Sequence, residues 1–198
     1  MVARPTVPYT VHVMSVLSDP RLVVRPWQRS DAAALHGAAE ESAEQVWPWL
    51  ERLDTIEGLQ DADTWMVASE NHWRSATEYR FGIFDRGEPG RCLGGVNLQR
   101  LERIGHIATL DGWVRTAATG SGIATDAARM VVRFGLTAAE FDRVDLLVAT
   151  GNFAAGRVAA KLGAHAEGLL WRRLRLRGRY VPAQLSWLTR PQLAESLS

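Results

Sequence analysis

Three stretches of the chain carry a clear periodicity, and they frame the rest. Ile123, Ala127, Met130, Val131, Phe134 and Ala138 recur at helical spacing, which predicts an amphipathic helix. Just beyond it, Val144, Leu146 and Val148 alternate as on a buried strand. Trp65, Met66, Ser69, Trp73 and Ala76 fall on one side of a further helix, predicted from Asp61 to about Ala76.

The segments between them read by their punctuation. Residues 21–25 form a first strand, stopped by Pro26. Ser30 and Asp31 cap a helix through about Ala39, and Ser42-Ala43-Glu44-Gln45 has the capping-box pattern that opens another helical turn. Tyr79 to Asp85 reads as a strand, followed by a turn over Arg86-Gly87-Glu88-Pro89-Gly90. Cys92–Leu101 and His106–Arg115 are two extended segments joined tightly around Gly105. Asn152 is a good N-cap for a short helix ending at Leu162, with Gly163 as its stop. Leu169–Leu176 and Tyr180–Leu188 make a last pair of strands around Arg177-Gly178-Arg179. No repeat or linker interrupts the order, so one α/β domain is expected over residues 21–190, with an extension over 1–20 and a tail over 191–198.

Composition narrows the function classes. The 198 residues are 46% hydrophobic and 23% charged, as in globular rather than disordered chains. With 23 Lys and Arg against 22 Asp and Glu, the net charge of +1 gives no global pull toward nucleic acid or membrane. Cys92 is the single cysteine, so no intrachain disulfide can form; its apolar neighbours mark a core residue rather than a nucleophile. No apolar run approaches the roughly 20 residues of a membrane span. Residues 1–20 hold Arg4, Pro5, Pro8 and His12 in place of an apolar export core, and a cytoplasmic setting is expected.

The most informative stretch is Trp113 to Thr125, where a strand enters the turn Thr119-Gly120-Ser121-Gly122 and opens directly into the long helix. Glycines let successive N–H groups point inward, and a helix N-terminus adds unsatisfied donors and a positive dipole end. Together they can cradle a phosphate or pyrophosphate; glycine used only for turn geometry is the bland alternative. A P-loop would need Gly-Lys-Ser or Gly-Lys-Thr, which is absent, and a dinucleotide fingerprint would need a third glycine near Thr125.

Across nearly the whole chain, from Leu22 to about Leu188, the sequence resembles the GNAT superfamily of N-acetyltransferases, and within it the RimJ/RimL-like branch. The resemblance rests on Leu-Val-Val-Arg-Pro-Trp at 22–27, Gly94-Gly95-Val96-Asn97-Leu98, Gly-Trp-Val-Arg at 112–115, Gly-Ser-Gly-Ile-Ala-Thr at 120–125, and Asn152 with Val158 to Gly163. It implies a mixed, mostly antiparallel twisted sheet flanked by helices, with two central strands splayed around Val114 and Ala149. It also implies acetyl-CoA as donor substrate, no metal, and direct transfer to a primary amine in a ternary complex. The acceptor would be a peptide N-terminus or a small amine. Homodimerisation is left open, and no membrane or nucleic acid is expected as partner.

By the same resemblance, the backbone amides of Gly120, Ser121, Gly122, Ile123, Ala124 and Thr125 bind the pyrophosphate. Trp113, Val114 and Arg115 lie along the pantetheine arm, Asn152 touches that arm or the acetyl end, and Arg115 and Arg157 reach CoA phosphates. Three positions depart from the pattern: Thr119 stands where Arg or Gln usually opens the loop, and Ala155 and Ala159 stand at the two usual places for an acid that protonates the thiolate. Those alanines suggest the rival reading, a catalytically silent acyl-CoA-binding or regulatory domain.

Asp111 is the candidate base, because it precedes the acetyl-binding Gly112-Trp113 where relatives usually have glycine; the competing reading is a structurally hydrogen-bonded carboxylate. His106 is expected to face water at the hairpin end. Glu41, Glu44 and Trp47-Pro48-Trp49 fall where an acceptor wall often forms. Arg172, Arg173, Arg175, Arg177 and Arg179 form the one obvious charge cluster, read first as the solvated face of a hairpin and otherwise as an attractor of an acidic peptide, CoA phosphates or RNA.

Overall fold

The computed structural model describes residues 15–50, 56–102 and 105–195. Its frame is an eight-stranded sheet in the order β1-β2-β3-β4-β5-β6-β8-β7. In chain order the strands are β1 (Leu17–Ser18), β2 (Leu22–Pro26), β3 (Tyr79–Asp85), β4 (Cys92–Glu102), β5 (Ile107–Val114), β6 (Arg143–Ala149), β7 (His165–Leu176) and β8 (Arg179–Leu188). The helices are α1 (Ala32–Val46), α2 (Leu59–Ser75), α3 (Ile123–Thr137), α4 (Phe153–Lys161) and α5 (Arg190–Glu195). The β5–β6 pair is parallel and every other pairing is antiparallel.

Alternation along the strands feeds two hydrophobic clusters. Phe81, Ile83, Val96, Leu98, Ala108 and Leu110 join Val131, Phe134 and Leu136 of α3. Phe84, Cys92 and Trp113 join Leu35, Ala38 and Ala39 of α1 and Met66 of α2. Trp73, near the end of α2, meets Tyr79 and Phe81 edge-on at 5.0 Å, and Phe134 approaches Phe81 at 5.3 Å. Such edge-on pairs add about 0.5–1.5 kcal/mol each beyond area burial. Trp73 Nε1 donates to the Arg80 carbonyl at 2.8 Å, so its polar end is satisfied inside the core.

The expected strands and the helices α2, α3 and α4 are present, with ends shifted by a residue or two at most places. One expectation needs correction. Ser42 does not open a second helix: α1 runs unbroken from Ala32 to Val46, and the buried Ser42 hydroxyl donates to the Ala38 carbonyl at 2.7 Å one turn back. The capping pattern lost because Leu35, Ala38, Ala39 and Ser42 are all buried on the face of a single helix. At the two ends of the described fold, β1 pairs with β2, and Arg190 Nε at the start of α5 donates to the Leu136 carbonyl at 2.6 Å.

One glycine sets how closely β4 and β5 approach. Gly94 has φ of +145°, and a Cβ there would lie 2.2 Å from the Trp113 carbonyl oxygen. No L side chain fits, so this position holds the end of β5 tight against β4 and away from β6.

Candidate active site

The β5–β6 register ends at Leu110 opposite Leu146, although the strands continue to Val114 and Ala149. Beyond that point they part around a cleft of about 400 Å³. One wall is Asp111 to Val114; the other is Leu146 to Ala149 with Asn152, Ala155 and Val158 of α4. Thr119, Gly120 and Gly122 to Thr125 close one end, while Gln45 and Val46 of α1 with Trp49 and Leu50 after it cover the other side. Splayed strand edges carry main-chain groups with no ladder partner, and those groups can pair with an extended amide-bearing ligand.

The turn into α3 has the conformation the glycines suggest: Gly120 and Gly122 lie in the left-handed region at φ of +77° and +86°. Neither site crowds a Cβ, so the requirement is one of backbone conformation. Thr119 Oγ1 donates to the Thr116 carbonyl and Ser121 Oγ to the Ala118 carbonyl, so both hydroxyls brace the turn. The N–H groups of Gly120 to Ala124 donate to nothing among the described residues, which fits a cradle for an anionic pyrophosphate. Arg21, 100 residues earlier, donates to the Ser121 carbonyl at 3.0 Å and pairs with Asp126 in the first turn of α3. A guanidinium thus reaches this loop from β2's entry, although Thr119 stands where the loop itself usually supplies one.

Trp113, Val114, Thr119, Gly120, Gly122, Ile123, Ala124, Thr125, Asn152 and Arg157 all line the cleft. Asn152 caps α4 by accepting from the Ala155 N–H at 3.1 Å. The side chains of Arg115 and Ser121 are placed elsewhere. Arg115 Nε donates to Glu41 Oε2 at 2.6 Å, and Glu41 Oε1 accepts from the Ala117 N–H at 3.1 Å. Ser42 Oγ accepts from the Thr116 N–H at 3.1 Å. Two neighbouring residues of α1 thereby clamp the segment between β5 and the glycine turn. The Arg115 hydrogen bond, then the Ala117 N–H, holds the Glu41 carboxyl below its usual range.

Asp111 is opposite Asn97 in the β4–β5 register, and Asn97 Nδ2 donates to it at 2.8 Å; Gln99 Nε2 donates to its other oxygen. It sits where the cleft meets a second, water-sized cavity of about 20 Å³ walled by Trp27, Trp65 and Trp113. Asn97, Gln99 and Arg21 were missed by sequence reasoning. The first two were within reach of it, since alternate residues of β4 facing a hairpin partner share one face. His106 lies at the opposite end of β5, and Glu44 is exposed away from the cleft. Of the tryptophan pair, Trp49 lines the cleft and reaches the Gly151 turn, while Trp47 packs into the core under α1. Cys92 is buried in that core, donates weakly to the Gly94 carbonyl at 3.6 Å, and has its thiol pushed up to about 12 by burial. No group of metal-ligating side chains occurs among the described residues, and none of their helices is long and apolar enough to cross a membrane.

The model of the acetyltransferase (GNAT) domain matches residues 21–165, most of the chain. The chain belongs to this family. The GNAT chain is 26% identical to the Probable N-acetyltransferase YjcK of Bacillus subtilis over 181 residues, covering 89% of this chain and 98% of that one. Mycobacterium smegmatis RimJ, solved with CoA-disulfide, superposes with a TM-score of 0.80 at 23% identity, covering 89% of this chain and 87% of that one. RimL, the ribosomal L7/L12 alpha-N-protein acetyltransferase solved with coenzyme A, gives 0.81 at 15% identity, covering 88% and 98%. Family membership makes this GNAT protein an acetyltransferase with acetyl-CoA as donor.

Two outcomes are expected from the geometry. Gly122→Val forces a branched residue to a left-handed φ and should weaken acetyl-CoA binding about tenfold or more by calorimetry, since such strain is of order 1–3 kcal/mol. Glu41→Gln should lower the urea midpoint at pH 7. Because the folded-state pKa of Glu41 is depressed, its contribution is present above the ordinary carboxylate value and lost as pH falls through the lowered one. The gap between variant and wild type should therefore close in acid; an unchanged gap would refute the clamp.

Proposed function

We propose that this acetyltransferase moves the acetyl group directly to an α-amine of a peptide, within a ternary complex, and that Asp111 takes up the proton. The observation that carries this reading is that Asp111 is the one carboxylate among the described residues lining the cleft. It stands at the junction with the tryptophan-walled cavity, fixed from behind by Asn97 and Gln99. The pyrophosphate is assigned to the N–H groups of Gly120 to Ala124, the Thr125 N–H being taken by the Gly122 carbonyl, with Arg157 of α4 as a cation facing the same cleft. The free strand edge at Val114 pairs with the pantetheine arm.

In the transfer, the amine nitrogen attacks the acetyl carbonyl carbon, the C–N bond forms and the C–S bond breaks. The nitrogen loses its proton to Asp111, and the departing thiolate regains one from solvent. Ala155 lines the cleft and Ala159 is buried in the core, so neither can supply that proton. Orientation and backbone hydrogen bonds then provide most of the rate enhancement.

The α-amine follows from this sparse proton apparatus. An α-amino group with pKa about 7.7–8.0 is neutral to roughly a tenth at pH 7, whereas lysine near 10.4 carries a handicap of about 3.5 kcal/mol. RimL, which shares the fold, is described as an alpha-N-protein acetyltransferase and supports the same acceptor.

Two measurements test the proposal. Asp111→Asn should lower kcat about tenfold or more at neutral pH and recover much of it at high pH, where the acceptor deprotonates unaided. Matched peptides, one with a free N-terminus and blocked lysine and the other reversed, should favour the free N-terminus in kcat/KM near pH 7. A preference for the lysine peptide would sink the α-amine assignment.

A further inference from the structure

The arginine-rich hairpin takes no part in the cleft chemistry, yet it is built with definite geometry. Strands β7 and β8 pair Leu174 with Val181, Arg175 with Tyr180 and Leu176 with Arg179. The turn between them places Arg177 and Gly178 at φ of 47° and 74°, the left-handed pair that matches strand twist in a two-residue hairpin. Leu174 faces the cleft lining, so Arg173 and Arg175 alternate onto the other face beside Tyr180. Between Leu170 and Leu174 the register shifts, and Arg172 at φ of 52° turns its guanidinium over the Tyr180 ring, 5.0 Å from its centre. Trp171 is 76% exposed and Tyr180 57%.

The charges on this face are uncompensated. From Gly168 through Thr189 the chain has no Asp or Glu, and none of the five arginines forms an ion pair among the described residues. By contrast Arg25, Arg80, Arg115, Arg129 and Arg143 each sit on a carboxylate. Glu167, just before the cluster, is taken by Arg143. Like charges held at neighbouring positions repel, and guanidinium forks gain most from carboxylates, which they bind in bidentate fashion. Arginine with exposed tryptophan and tyrosine is also the composition of interface hot spots.

We propose that this face of the β7–β8 hairpin docks an acidic polypeptide segment of a partner protein, with carboxylates at alternate positions of an extended stretch. Arg173 and Arg175 lie about 7 Å apart along the strand, which is the spacing of alternate side chains in an extended peptide. A second copy of this chain does not fit, because antiparallel pairing of two β7 edges would set arginine against arginine. Nucleic acid fits less well than peptide: the net charge of +1 gives the chain no global pull toward a phosphate backbone.

The test uses the full chain and a fluorescein-labelled peptide of alternating glutamate and alanine, N-terminally acetylated so that it cannot serve as acceptor. Its glutamine counterpart and a single-stranded RNA of matched length are the comparisons, all read by anisotropy at low and physiological salt. The glutamate peptide should bind roughly tenfold or more tightly than the glutamine one, and the preference should shrink with salt. Charge reversal in Arg173→Glu/Arg175→Glu should abolish it while acetyl-CoA affinity, measured by calorimetry as a check on folding, stays unchanged. Trp171→Ala should weaken the same peptide without removing the charge preference. Equal binding of the two peptides, or binding indifferent to charge reversal, would overturn the proposal. So would RNA binding that exceeds the glutamate peptide and disappears in the reversed variant. Because the probe is blocked, failure here leaves the acceptor assignment standing, and failure of α-amine transfer leaves this surface standing.

Discussion

Everything in the site depends on where the parallel pairing of β5 and β6 stops. Up to Leu110 and Leu146 the two strands satisfy each other; after that they separate while their outer neighbours, β4 and β8, keep them in place. Inside a protein, main-chain groups left without a partner are costly, so such a gap persists only where both walls are held from outside. Gly94 draws the end of β5 onto β4, and Ala149 remains paired with Ala183 of β8. The opening is thus a property of the sheet.

Helix α1 is the second support. Glu41 and Ser42 hold Arg115, Thr116 and Ala117, the short segment that links the open end of β5 to the glycine turn. Arg21 performs a comparable task on the far side, gripping Ser121 and Asp126. The glycine turn is therefore positioned by contacts from two distant parts of the chain. Its own hydroxyls, on Thr119 and Ser121, are spent on keeping its shape.

This division explains what the sequence made legible. The cradle could be read because its requirement is local: glycines at left-handed positions just ahead of an amphipathic helix. Asn152 could be read for the same reason, as a cap acting within three residues. Ser42 was misread because a local capping pattern competed with burial on one continuous helix, and burial is settled by partners elsewhere in the chain. Arg115 looked like a phosphate ligand by position, but its carboxylate partner lies 74 residues away. Asp111 was singled out by its place before Gly112-Trp113, whereas the amides that donate to it required the hairpin register.

Cys92 gives the molecule a chemical property of its own. A reactive cysteine beside the cleft could attack an oxidised coenzyme disulfide and be captured in a mixed disulfide, the second coenzyme leaving as its thiol. The sole sulfhydryl of this chain is instead sealed in the core with its proton held to about pH 12. Such exchange proceeds through the thiolate, so the buried Cys92 offers no handle for it. Turnover should therefore be indifferent to oxidised coenzyme added alongside the substrates.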